Sequence, residues 1–201
     1  MALKTFVKVS NVSSLSDARY CAGMGVDILG FNIDPDSTER LDETTFKEIT
    51  DWVAGVEFAG EFHDSNLQGI KDAVKAYPIQ FVELSNLDLI EKVALLGKPL
   101  IYKASINSED DLGRFGSTLS YLDELVQIVI IKSTNESIFN SLDQQITFYN
   151  GNLKLVRGYG VSPDSGVERF PGIEMEATKE EKPGLKDYGE IMDVLEVLDE
   201  D

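Results

Sequence analysis

Short apolar runs alternate with helix-patterned segments along the whole 201-residue chain, and this alternation limits the fold more than any other feature. Strands are expected near Phe6–Val9, Asp27–Phe31, Val56–Phe62, Gln80–Leu84, Pro99–Lys103, Ile128–Ile131, Leu153–Val156 and Gly172–Met175. Helical spacing occupies the intervals, at Ser14–Met24, Glu43–Val53, Asn66–Ala76, Leu87–Leu95, Glu109–Leu122, Glu136–Asp143 and Lys186–Leu198. A strand, a helix and a second strand in succession pair in parallel through a right-handed crossover. Eight such units predict an α/β protein, a (β/α)8 barrel of the TIM type, forming one domain over residues 1–201. Its seventh helix is expected to be short or irregular, because only Asp164–Phe170 is available behind Pro163. The rival is a doubly wound open sheet. No glycine-rich loop follows the first run, which weakens the nucleotide-binding version of that rival.

Composition narrows the function classes. Eighteen basic residues against thirty-six acidic ones give a formal charge of −18. Such a surface repels nucleic acid and anionic membrane, so neither is an expected partner. The single cysteine, Cys21, excludes an internal disulfide. The chain enters its first strand almost at once and has no membrane-length apolar run, so the expected location is the cytoplasm. No metal-ligand motif or cofactor fingerprint stands out, and none is expected. Self-association is left open.

In a barrel of this kind the chemistry sits where the strands end. Those positions carry Ser10, Asn32, Glu61, Glu83, Lys103, Lys132, Arg157 and Glu174 or Glu176. Charges of both signs around one rim can build an acid–base site, or they can form ion pairs that close the mouth. The first strand poses the question sharply. Its alternation sends Lys8 and Ser10 to one side and Val7 and Val9 to the other. A buried strand that points a lysine and a serine the same way needs a reason. A plainer role for nearby serines is helix capping, for which Ser13 and Ser14 are well placed.

The order of residues adds a resemblance. The run from Val7 through Phe31, with Lys8, Asp17-Ala18, Gly25, Asp27, Gly30 and Phe31, resembles the opening of phosphoribosylanthranilate isomerases. That family begins with Lys-x-Cys-Gly, then Asp-Ala on the first helix, then Gly-x-Asp-x-x-Gly-Phe. Pro183 to Asp187 is similar to the family's closing Pro-Gly-x-Lys-Asp, and Phe81 to Asn86 to its Val-Gln-Leu-His-Gly. The resemblance implies the barrel. It also implies an Amadori rearrangement in tryptophan biosynthesis, with a general acid on the ribose ring oxygen and a general base on the C2 proton.

At the positions where the family places those groups, a cysteine and an aspartate, this chain has Ser10 and Lys132. A thiol titrates near pH 8.5 and can be tuned into a base, whereas a serine hydroxyl needs a base of its own. Lys132 would need a lowered pKa to donate well at neutrality. The family's phosphate grip, glycines after strand seven and Ser-Ser-Gly after strand eight, is matched only by Gly158, with Arg157 beside it. Glu176, Ala177 and Thr178 stand in the second loop. A carboxylate repels a phosphate, and Arg157 is the candidate to compensate. Arg40 matches the family's anthranilate-contacting arginine only through a one-residue insertion. The expectation is a divergent barrel that has lost the isomerase activity. It would bind a small molecule, with anions among the candidates, or a partner through Lys8, Arg40, Glu83, Lys103, Arg157, Gly158, Glu176, Ala177 and Thr178. Two alternatives stand beside it. One is enzymatic: an active isomerase with relocated acid and base, or another sugar-phosphate reaction using Lys132 with Glu83. The other is a structural barrel closed by pairs such as Lys103–Glu83 and Arg157–Glu174.

Overall fold

The computed structural model describes residues 2–177 and 189–200. Eight parallel strands, β1 (Phe6–Ser10), β2 (Ile28–Asn32), β3 (Glu57–Phe62), β4 (Phe81–Leu84), β5 (Leu100–Ser105), β6 (Ile128–Lys132), β7 (Lys154–Arg157) and β8 (Gly172–Glu176), close into a barrel in sequential order. The open-sheet rival is thereby excluded. Seven helices are described: α1 (Leu15–Gly23), α2 (Glu43–Thr50), α3 (Leu67–Ala76), α4 (Ile90–Ala94), α5 (Glu109–Leu122), α6 (Phe139–Phe148) and α7 (Gly189–Leu198).

Polar caps start four of the described helices. Ser14, Asp42, Asn66 and Ser108 accept from backbone N–H groups in the first turns of α1, α2, α3 and α5. Of the two serines suited to capping, Ser14 does it, at 3.2 Å from Asp17 N. Two expected helices differ in form. The segment from Leu87 opens as a 3-10 turn and becomes α4 only at Ile90. The segment from Glu136 also starts as a 3-10 turn, and α6 runs five residues past the expected end at Asp143. It runs on because Leu142 and Ile146, one turn apart, both bury against the sheet. Of the expected final helix, residues 186–188 lie outside the described residues, as does the Pro183–Asp187 motif.

The seventh helix is replaced by two 3-10 turns, Pro163–Ser165 and Val167–Arg169, joined by Gly166 in the left-handed region at φ 65°. Arg157 covers the strand where a helix would lie. Its guanidinium stacks 4.9 Å from the Tyr159 ring centroid and 4.7 Å from that of Phe170, while Nε sits 3.2 Å from Asp143 Oδ1. Tyr159 donates to the same Asp143 oxygen at 2.7 Å. Burial and that carboxylate push the phenol above its ordinary range.

Two apolar cores result. The larger lies between sheet and helices. The smaller fills the lower bore with Ile28, Ala59, Ile101, Ile128, Ile130 and Val156, with Phe6 and Phe81 packed against it. Above these aliphatic layers the bore changes character.

Candidate functional site

The strand positions next above the aliphatic layers point Lys8, Glu61, Glu83, Lys103 and Glu174 into the bore, followed by Ser10, Lys132 and Glu176 toward the opening. The register pairs Lys8 with Glu174 and Glu61 with Glu83 across neighbouring strands. Lys8 Nζ lies 2.6 Å from Glu61 Oε1 and 2.8 Å from Glu83 Oε2. Lys103 Nζ lies 2.8 Å from both Glu83 Oε1 and Glu174 Oε1. Lys132 Nζ donates to Glu174 Oε2 at 3.0 Å and to Glu176 Oε1 at 2.9 Å. Ser10 joins the lattice by accepting from Lys8 and donating to Glu174 Oε1 at 2.5 Å.

Side-chain exposure grades upward through this stack, from 0% at Lys8, Glu61, Glu83 and Glu174 through 11% at Lys103 and 27% at Lys132 to 51% at Glu176. The deep part is dry, so each charge there must be matched. Three ammonium groups (Lys8, Lys103, Lys132) face three buried carboxylates (Glu61, Glu83, Glu174), and the count balances. Burial alone would drive Lys8, Lys103, Lys132, Glu61 and Glu174 toward neutrality, but their partners prevail. Lys8 is raised against burial by Glu61 and Glu83, and Lys103 is raised well above the lysine range by Glu83 and Glu174. Lys132 is raised in the same way by Glu174 and Glu176. Against burial, Lys8 and Lys103 lower Glu61, and Lys103, Lys8 and Lys132 hold Glu174 far below the carboxylate range. All five are driven away from neutral pH.

Two glycines make room for the lattice. A Cβ at Gly30 would collide with the Glu61 carboxylate and Lys8 Nζ. A Cβ at Gly158 would lie 2.8 Å from Lys132 Cδ and 3.0 Å from Glu174 Oε2. The Gly158 N–H donates to Ile131 O at 2.9 Å. It therefore continues the sheet and is not a donor waiting for phosphate, contrary to the expectation drawn from the resemblance.

Two further expectations need correction. Arg157 was expected at the mouth, paired with Glu174. Val156 faces the bore, so Arg157 faces the helices, where Asp143 and the two aromatic rings hold it. Arg40 donates to the Tyr77 hydroxyl at 3.2 Å and its guanidinium lies 5.7 Å from that ring's centroid, in the outer layer. The Lys103–Glu83 pair is present as expected. Lys132 and Glu83, considered together for another sugar-phosphate reaction, have separate partners in the lattice. Ala177 extends the pairing of β8 with β1 through its N–H to Ser10 O at 2.8 Å, and Thr178 lies outside the described residues.

The sequence did not single out Asp34. Fully buried, it accepts from the backbone of His63, Asp64 and Asp36 at 2.7, 2.7 and 2.9 Å, and from the Ser65 hydroxyl. Despite burial, Ser65 and these amides lower its pKa. It ties the loop after β2 to the loop after β3. His63, the only histidine, sits on that side of the rim with Nδ1 2.9 Å from Ser85 Oγ. Among the described residues, no group of three or more His, Cys, Asp or Glu is arranged to hold a metal ion. Two hollows flank the end of β8. One, of 360 Å³, lies between Asn11, Ser13, Asn32, Glu39, Leu41 and Glu176. The other, of 420 Å³, lies beside Lys132, Gly158, Glu174, Glu176 and Glu190.

Barrel and mouth together define a closed (β/α)8 protein of the TIM type whose upper bore is filled by ion pairs. No protein-family model matches the chain. It is 23% identical, over 192 aligned residues, to the N-(5'-phosphoribosyl)anthranilate isomerase of Leptospira borgpetersenii serovar Hardjo-bovis, covering 85% of this chain and 89% of that protein. Among solved structures, the phosphoribosyl anthranilate isomerase of Thermococcus kodakaraensis matches with a TM-score of 0.76 at 14% identity, covering 98% of this chain and 100% of that one. The enzyme of Thermotoga maritima matches at 0.72 and 20% identity, covering 96% and 98%. The chain is similar to phosphoribosylanthranilate isomerases in fold and, at low identity, in sequence over nearly its full length. Among the described residues, no helix is long and apolar enough to cross a membrane.

Proposed function

We propose that this barrel does not isomerise phosphoribosylanthranilate and that its former reaction centre is now a closed ion-pair plug, leaving the molecule a binding role. The observation that carries the reading is the state of Ser10 and Lys132. The Ser10 hydroxyl donates to Glu174, and Lys132 is clamped between Glu174 and Glu176. A general acid or base works best when its pKa lies near the operating pH. Lys132 is raised and Glu174 depressed, so neither exchanges protons readily at neutrality. Ser10 has for its neighbours two ammonium groups and a depressed carboxylate, none of them a base that can activate it.

The rival, an enzyme with relocated acid and base, draws support from the similarity to proteins named as isomerases. Complementation separates the two. A tryptophan auxotroph lacking the isomerase should stay auxotrophic when this chain is expressed as soluble protein. Growth at the rate given by a true isomerase would refute the proposal.

A further inference from the structure

We infer that Asn150, followed by Gly151, is a site of spontaneous deamidation through a succinimide, at which the chain turns a neutral amide into aspartate and isoaspartate as it ages. Nine asparagines occur in the chain, and only Asn150 precedes a glycine. The pair lies in the short connection between α6 and β7, and both residues are exposed. A glycine nitrogen has no Cβ beside it, so a neighbouring side-chain amide meets it without hindrance. The Tyr149 hydroxyl folds over Gly151 where a Cβ would lie, which leaves no room for a side chain there. Among the described residues, neither the Asn150 amide nor the Gly151 N–H has a hydrogen-bond partner.

The other asparagines are guarded. The side chains of Asn32, Asn66, Asn86, Asn107, Asn135 and Asn152 are each held in hydrogen bonds. Asn11 precedes the buried, β-branched Val12, whose N–H is already donated to Gly30 O at 2.8 Å. Asn140 lies within α6, where side chains lean toward the helix N-terminus and away from the following nitrogen.

At Asn150 the Gly151 nitrogen attacks Cγ and closes a five-membered ring. The Cγ–Nδ2 bond breaks, and ammonia leaves with the proton that the glycine nitrogen gives up. Water then opens the ring: cleavage at Cγ yields aspartate, and cleavage at the main-chain carbonyl yields isoaspartate. Either product adds one negative charge to the formal −18. Isoaspartate also lengthens the main chain by one methylene close to Asn152, whose N–H and side-chain amide donate to the Asp123 carboxylate at 3.1 and 3.2 Å. That carboxylate ties the α6–β7 connection to the end of α5, so the modification falls beside a clamp on the barrel's lower rim.

The test is incubation of the folded, full-length chain at physiological temperature in mildly alkaline buffer, followed by peptide mass spectrometry. The Asn150 peptide should gain about one mass unit, roughly tenfold faster than the peptides of Asn107 and Asn140, which precede serines. Isoaspartate should accompany aspartate in the product, and anion exchange should resolve a form with one extra negative charge. Asn150→Gln should lose both the conversion at 150 and the acidic form, because closing a six-membered ring is slower. Position 150 is exposed, so this variant should fold, and a melting curve checks it. The inference fails if Asn107 or Asn140 converts as fast, if aspartate forms without isoaspartate, or if the acidic form persists in Asn150→Gln. It also fails if Asn150 converts in the urea-unfolded chain but stays intact in the folded one, since the fold would then shield it.

Discussion

Ser10 Oγ lies 2.5 Å from Glu174 Oε1 and donates its proton to that carboxylate, while Lys103 Nζ approaches the same oxygen to 2.8 Å. That acceptor is held ionised at neutral pH, so the hydroxyl is bound into the ion-pair lattice. Its neighbours make the point general: each charged side chain in the upper bore stabilises the ionised form of another.

Removal of one member should therefore expose the cost of burying the rest. Glu83→Gln leaves Lys8 and Lys103 each short of a carboxylate in the dry part of the bore. Urea unfolding should show a loss of roughly 3–5 kcal/mol. Glu176→Gln, at the half-exposed top of the stack, should lose less than about 1 kcal/mol. Equal effects from the two variants would contradict the gradient from dry to wet.

The pH dependence follows from the direction of each shift. Glu174 is depressed below the unfolded carboxylate value of 4.5, so its contribution is complete above 4.5 and declines as pH falls toward the folded value. Lys8 and Lys103 are raised above 10.5, so theirs is complete below 10.5 and is lost as pH rises through the folded values. The stability difference between wild type and Glu174→Gln should be flat from pH 6 to pH 9, approximately, and shrink as pH falls below 4.5. A difference that grows on acidification would reverse the sign assigned to this carboxylate.

Much of this architecture is legible in the sequence, and the limit of legibility is physical. The eight strands appear at their expected places within a residue or two at most ends, because short β-branched runs between polar caps have few other uses. The inward pointing of Lys8 and Ser10 is readable because Val7 and Val9 leave one polar face on β1. β7 offers no such cue. Leu155 and Val156 are both buried, one on each side of the sheet, as in parallel strands covered on both faces, so the run does not reveal which way Arg157 points. Partners such as Lys8 and Glu61, 53 residues apart, are set by barrel closure and register, which local pattern does not encode. Asp34 has no signal beyond being a polar residue after a strand, because its donors come mainly from another loop.

Arg157 provides a test remote from the mouth. Arg157→Ala removes the ion pair with Asp143 and the stacking on Tyr159 and Phe170 that stands in for the seventh helix. Unfolding experiments should register a loss of about 2–3 kcal/mol. Unchanged stability would mean that these contacts do not hold this part of the barrel wall.

Gly30 tests the packing of the plug from the opposite wall. Gly30→Ala forces a methyl group against the Glu61 carboxylate and Lys8 Nζ, neither of which has room to retreat at full burial. The expected destabilisation is about 1–3 kcal/mol. A neutral outcome would mean the upper bore is looser than the ion-pair distances indicate.

The most direct measurement is steady-state turnover of phosphoribosylanthranilate by the purified chain, alongside the Ser10→Cys/Lys132→Asp double variant. The plug account predicts no rate above the uncatalysed background for either protein. The double substitution restores the residue types of the acid–base pair, but Glu176 and the bonded Gly158 N–H still oppose the substrate phosphate. Robust turnover by the unmodified protein would contradict the account outright.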